Sequence, residues 1–167
     1  MKASVFVAAA FCVAAGQGGA PSFDQFRVTE APYKGKPAAP VIKSAEDRRF
    51  RTMIRTGAAQ GPNFARRFTV VEWGCGAGCV SVVVVDAATG EIHHAPFKTL
   101  GWQLRKYEGK YTSNDDKFEQ LVYKVDSRLL VARGCLDESD KCSSYFWEWN
   151  AGQFKLVKAI PAGVIPE

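Results

Sequence analysis

Trp73-Gly74-Cys75-Gly76-Ala77-Gly78-Cys79 runs directly into Val80-Ser81-Val82-Val83-Val84-Val85, and this junction restricts the fold more than any other stretch of the chain. β-Branched residues are stiff at the first side-chain torsion and favour an extended strand. Both alternating sets in the valine run are largely apolar, so both faces need cover; the strand must be central in a sheet, with a helix able to lie on one side. The glycines before it let the backbone bend tightly, and Cys75 and Cys79 stand where a disulfide could close the bend. Successive N–H groups in such a glycine turn can also form an anion-binding nest. Service to a tight, cross-linked turn is the simpler use of the same residues.

The rest of the chain supplies partners for that strand. After the Gln60-Gly61-Pro62-Asn63 turn, strands are expected over Phe68–Trp73, Cys79–Val85, Ile92–Ala95, Phe118–Val125, Leu129–Arg133, Ser143–Trp149 and Phe154–Lys158. Asp86 to Gly90 and Asn150-Ala151-Gly152 have the composition of hairpin loops, and Asp126-Ser127 that of a tighter reversal. Ahead of them, Ser44 reads as an N-cap with Asp47 three residues on, opening a helix from about Ala45 to Thr56, with Gly57 as its left-handed terminal residue. Phe50, Met53 and Ile54 share one side of that helix, which should pack on the sheet. Pro21, Pro32, Pro37 and Pro40 make residues 16–43 an extended arm. The expected fold is a single α+β domain over residues 44–167: an antiparallel meander of about six or seven strands with one N-terminal amphipathic helix packed on it.

The chain's beginning and its cysteines point to export. Met1-Lys2 and the short apolar run to Ala15 have the pattern of a signal peptide, giving way to Gly16-Gln17-Gly18-Gly19 before reaching the about 20 apolar residues a membrane span requires. Cleavage after Ala15 suits the small residues Val13 and Ala15, whereas Pro21 disfavours cleavage after Ala20. Cys12 follows the bulky Phe11 inside the apolar run, which argues against lipid attachment. Beyond the signal, Cys75, Cys79, Cys135 and Cys142 remain, and in an oxidising periplasmic or secreted setting two disulfides are expected. Of the three connectivities possible for four cysteines, Cys75–Cys79 and Cys135–Cys142 are preferred because each closes a short loop between expected strands.

Asn63-Phe64-Ala65, the strand ending in Val71-Glu72-Trp73, and the W-G-C-G-x-G-C run from Trp73 to Cys79 together resemble a family of small, uncharacterised secreted bacterial proteins. The resemblance covers roughly Pro62 to Gly90 and beyond that only the pattern of strands. It implies export and a β-rich fold, and brings no activity with it. Where that family often has Gly-His-Tyr, this chain has Arg66-Arg67-Phe68, so it lacks that histidine.

No catalytic or metal-binding constellation emerges, and no cofactor is called for. Cys75, Cys79 and His93 approach zinc-finger spacing, but the second histidine is the adjacent His94, and neighbouring side chains on a strand point to opposite faces. The cysteine spacing fits neither haem attachment nor a thioredoxin-type pair. A cysteine hydrolase needs a free thiol beside His93 or His94, and the cysteines remaining after the signal pair off evenly; no Gly-x-Ser-x-Gly elbow occurs. Asp115-Asp116 and Asp137-Glu138-Ser139-Asp140 lack calcium-loop spacing and read as solvated turns. Tyr145, Phe146, Trp147 and Trp149 form an aromatic strand able to stack sugars, though core packing is its commoner use, with Tyr145 and Trp147 opposite Phe146.

Charge supplies the remaining clue. The chain carries a formal net charge of +5, and Lys43, Arg48, Arg49, Arg51, Arg55, Arg66 and Arg67 crowd into the helix and the turn after it. Arg48, Arg51 and Arg55 fall at helical spacing opposite the apolar side, an arrangement suited to an anionic envelope polymer or an acidic protein, and equally to an ordinary solvated face. An exported chain with no nucleic-acid-binding motif is not expected to meet nucleic acid. The leading functional expectation is an exported binding or structural module of the cell envelope; the alternatives are a disulfide-stapled inhibitor of an extracellular enzyme and a hydrolase using His93 or His94. Export has a direct check: intact mass of protein recovered from the periplasm or medium should show a chain beginning between Gly16 and Pro21, and a full-length species confined to the cytoplasm contradicts it.

Overall fold

The computed structural model describes residues 19–76, 78–101, 105–107, 110–112, 119–139 and 142–161. The expected signal segment, Asp115-Asp116 and Asp140 lie outside the described residues. Among the described residues, ten strands follow two α-helices: β1 (Phe68–Gly76), β2 (Cys79–Asp86), β3 (Ile92–His94), β4 (Leu100–Gly101), β5 (Arg105–Tyr107), β6 (Lys110–Thr112), β7 (Leu121–Tyr123), β8 (Leu129–Leu136), β9 (Cys142–Asn150) and β10 (Gln153–Pro161). Eight of them form one antiparallel sheet in the order β1-β2-β4-β8-β9-β10, with β3 added to β2 and β7 to β8, while β5 and β6 pair as a separate ribbon. The α+β meander expected from the sequence is therefore the fold, with one more strand in the sheet than its upper count. The unforeseen strands β4, β5 and β6 are two or three residues long, too short to carry a readable alternation.

β4 decides the shape. Its two residues bridge Cys79 and Val80 of β2 to Cys135 and Leu136 of β8, and beyond this tie β3 and β7 occupy the facing edges. The two halves of the sheet then curl toward each other. Phe68 of β1 and Trp149 of β9 have three strands between them in the sheet order, yet their rings are 5.0 Å apart. Phe64, fully buried, fills the middle of the curl and meets Tyr123, Trp149 and Phe154 at 6.5, 6.4 and 6.3 Å. The turn after it, with Ala65 and Arg66 both left-handed, docks its N–H groups on the carbonyls of Ser127 and Val125 and holds the curl shut.

β2 is buried on both faces. Val82 and Val84 point into the curl with Val70, Leu130 and Ala132, while Val83 and Val85 join Val71 and Trp73 beneath the helices. Those helices are α1 (Ala45–Arg49) and α2 (Arg51–Ala58), broken at Phe50, so the single helix read from the sequence is two. Phe50 leaves helical geometry and its ring lies 5.0 Å from that of Trp73. Ile54 and Ala58 are buried, but Met53, expected on the packed side, is 54% exposed. Gly57 is also not the left-handed terminus expected: it lies inside α2, where a Cβ would collide with the side chain of Val71. It is glycine because helix and sheet approach closely there.

The N-terminal arm lies across the sheet. Ala20, Phe23 and Phe26, the last two in a 3₁₀ turn, cover Leu129, Val131, Phe146 and Ile160 on the outer face of the second half. Further on, Ala38 and Val41 donate to the carbonyls of Ala87 and Gly90 at 2.8 Å, and Gly90 could bear no side chain without striking Ala39. Disulfides join Cys75 to Cys79 and Cys135 to Cys142. The first crosses the β1–β2 hairpin tip, where the register shifts between Gly74 and Gly76 and leaves Cys75 as the bulged residue. The two bonds accord with an oxidising, non-cytoplasmic setting, and no helix among the described residues is long and apolar enough to cross a membrane.

Gly57→Ala separates packing from propensity. Alanine gains about 1 kcal/mol of helix propensity over glycine, but overpacking against Val71 typically costs about 1–3 kcal/mol. Urea denaturation should show a net loss of stability, and Val71→Ala in the same chain should recover part of it.

Candidate functional site

Two surfaces gather functional groups beside the helices. On the outer side, Arg48, Arg49, Arg51 and Arg55 are all exposed, the first pair on α1 and the second on α2. The break at Phe50 does not hide the expected Arg48, Arg51 and Arg55 face. Arg48 donates to the carbonyl of Lys43 at 2.8 Å and Arg51 to that of Arg48 at 3.0 Å, each through one of a guanidinium's several N–H groups. Elsewhere Arg27 pairs with Asp24, Arg67 with Asp86 and Arg128 with Glu148, while Arg66 donates to the Glu30 carbonyl at 3.1 Å. None of the four helix arginines has a carboxylate partner among the described residues.

Under the helices is a cavity of about 190 Å³ whose walls come from four elements and the loop after β3. In β1 and β2, Trp73 and Ser81 are register partners, and Val83 of β2 is opposite His94 of β3, so Trp73, Ser81 and His94 share one face of the sheet. Trp73 is 8% and Ser81 7% exposed. The Trp73 indole N–H has no hydrogen-bond acceptor among the described residues. Glu46 of α1 and Lys98 line the same cavity, and Asp137 fixes the Lys98 segment by accepting the backbone N–H groups of Lys98 and Thr99 at 2.7 and 3.1 Å. Asp137 and Glu138, part of the acidic cluster read as a turn, are exposed in left-handed backbone.

Behind His94 stands Asp47, 3% exposed. The capping box read from the sequence is formed: Ser44 Oγ accepts the Asp47 N–H at 2.9 Å, and Asp47 Oδ2 accepts the N–H groups of Ser44 and Lys43 at 2.8 and 3.0 Å. The other carboxylate oxygen, Oδ1, lies 3.0 Å from His94 Nε2. Burial pushes the Asp47 carboxyl up, but the Ser44 and Lys43 hydrogen bonds and the nearby imidazole outweigh it and hold the group below the ordinary aspartate range. His93 points the other way, among the rings of Phe68 and Trp149 at 6.4 and 5.1 Å. The two histidines thus face opposite sides of β3, as the alternation requires. His94 turns Nε2 to Asp47, and Ser81 makes no hydrogen bond to it, so a serine–histidine nucleophile is not assembled in this geometry.

A larger cavity, about 360 Å³, is lined by Glu72, Glu119 and Tyr123 and has the opposite character. Burial pushes the Tyr123 hydroxyl up to about 12 and raises Glu72, with Glu119 adding like-charge repulsion. In the aromatic strand β9, Tyr145 and Trp147 stack 6.5 Å apart against the inner core while Phe146 packs on the outer face. Arg67 is committed to a bidentate pair with the buried Asp86 at 2.9 and 2.7 Å. Comparison with known protein families, curated proteins and solved structures found no match to this chain.

Nothing in the sequence joins Asp47, Trp73, Ser81 and His94. The one visible sign is Ser81 itself, a hydroxyl interrupting an otherwise apolar run.

Asp47 and Asp86 make the stability of the fold depend on pH on the acid side. Burial opposes ionisation of Asp86 as well, but Arg67 and the Ala88 N–H leave its carboxyl below the usual range. A carboxyl lowered in the folded state contributes stability that is fully present above the unfolded value of about 4 and is lost as pH falls through the folded value. Denaturant midpoints should therefore be level from pH 7 to about 5 and drop below about 4. In Asp86→Asn the curve should start lower and fall less steeply.

Proposed function

We propose that the protein is an exported binding module of the cell envelope, and that the cationic surface of α1 and α2 holds an anionic polymer or an acidic protein. One observation carries this reading: Arg27, Arg67 and Arg128 each have a carboxylate partner, whereas Arg48, Arg49, Arg51 and Arg55, clustered and exposed on the two helices, have none among the described residues. A run of uncompensated, exposed guanidinium groups attracts polyanions over distances near the Debye length. The opposite side of the same helices is anchored by Phe50, Ile54 and Ala58, so ligand contact is separable from folding. Neither the inhibitor nor the hydrolase reading has a comparable observation in its favour. The Cys75–Cys79 tip is short, and Ser81 and His94 are not joined.

Replacing Arg48, Arg51 and Arg55 together by glutamine should change stability by no more than about 0.5 kcal/mol per exposed site away from specific contacts. Arg48 and Arg51 lose their carbonyl contacts, which glutamine can partly replace. Retention on an anionic matrix and on envelope polymer should fall, and wild-type retention should weaken steeply with salt because exposed charges are screened beyond about 8 Å at physiological ionic strength. Equal elution of variant and wild type would sink the proposal.

A further inference from the structure

We propose that the cavity bounded by Trp73, Ser81 and His94 is a binding site for a small carboxylate, or for the carboxylate end group of a longer ligand. One buried donor at this cavity is unmet. Buried polar groups almost always find partners, and the few that do not call for an explanation. The Trp73 indole can only donate, it is 8% exposed, and it has no acceptor among the described residues. Ser81, a residue 7% exposed, brings its hydroxyl to the wall of the same cavity. The unpartnered Trp73 indole N–H and the Ser81 hydroxyl, side by side through the register pair, ask for an acceptor with more than one oxygen.

The surrounding charges fix the sign. His94 Nε2 is held 3.0 Å from Asp47 Oδ1 at the cavity wall. Lys98 adds an ammonium at the wall. Asp47 turns Oδ2 into the Ser44 and Lys43 N–H groups, leaving Glu46 as the carboxylate that lines the cavity itself. Size then limits the ligand. A volume of about 190 Å³ holds a few waters at about 30 Å³ each, or an acetate-sized group, and is below the roughly 300 Å³ at which drug-sized pockets begin. The Cys75–Cys79 disulfide closes the hairpin two residues beyond both Trp73 and Ser81, so the donor pair is held in register before any ligand arrives.

The site is independent of the arginine surface, and one titration tests it. The protein has four tryptophans, whose indole N–H signals resolve in proton–nitrogen NMR, and Trp73→Phe assigns the relevant one. Sodium acetate, added at constant ionic strength against sodium chloride, should shift the Trp73 signal saturably in the millimolar range and leave the others in place. Ser81→Ala should weaken binding about tenfold or more, since it removes a hydrogen bond to a charged group. His94→Asn should weaken it too. The Arg48, Arg51 and Arg55 glutamine variant should bind acetate like wild type, so failure of the polymer reading and failure of this one are distinguishable. N-acetylalanine and glucuronate, compared with acetate, tell a peptide terminus from a uronic acid: the natural source should bind more tightly than acetate. No shift across the millimolar range, an equal shift with chloride, or unchanged affinity in Ser81→Ala would overturn the assignment.

Discussion

Burial of β2 on both faces is the constraint on which the rest depends. A strand that places Val82 and Val84 on one side and Val83 and Val85 on the other cannot be an edge and cannot face water. Each fully buried valine contributes of order 1.5–3 kcal/mol relative to exposure. The sheet covers the first side by curling, and α1 and α2 cover the second. Ser81 is where the apolar row ends, and beyond it the helix cover gives way to the polar cavity.

The curl rests on aromatic volume and on a backbone clasp. Phe64 fills the interior between strands that the sheet order keeps apart, and the left-handed pair Ala65 and Arg66 spends conformational strain to place its N–H groups on Val125 and Ser127. The arm then seals the outer face with Phe23 and Phe26, and threads past Gly90 where a side chain would not fit. Residues far apart in the chain are thereby held with little freedom.

That rigidity bears on function. Capping groups, a register pair and a histidine on a neighbouring strand converge because α1 lies against the β2 and β3 end of the sheet. Asp47 serves two purposes at once, ending the arm as a helix cap and seating His94. The arginine surface is the reverse of this economy: its charges sit on exposed turns, with their counter-charges absent from the described residues around them.

The sequence by itself determined what short-range chemistry can determine. Val80–Val85 requires a doubly covered strand, Ser44 and Asp47 form a reciprocal cap, and cysteines separated by short loops bond within their own hairpins, as the structure has them. Strand alternation also put His93 and His94 on opposite faces and Phe146 opposite Tyr145 and Trp147. Only the tertiary structure decided the rest. Phe50 breaks the helix because its ring is drawn to Trp73, and Gly57 is small because Val71 is close. β4 is two residues that become a strand only between two existing edges. The cavity needs three strands and a helix in fixed register, and no local propensity encodes a distance between residues 47, 73, 81 and 94.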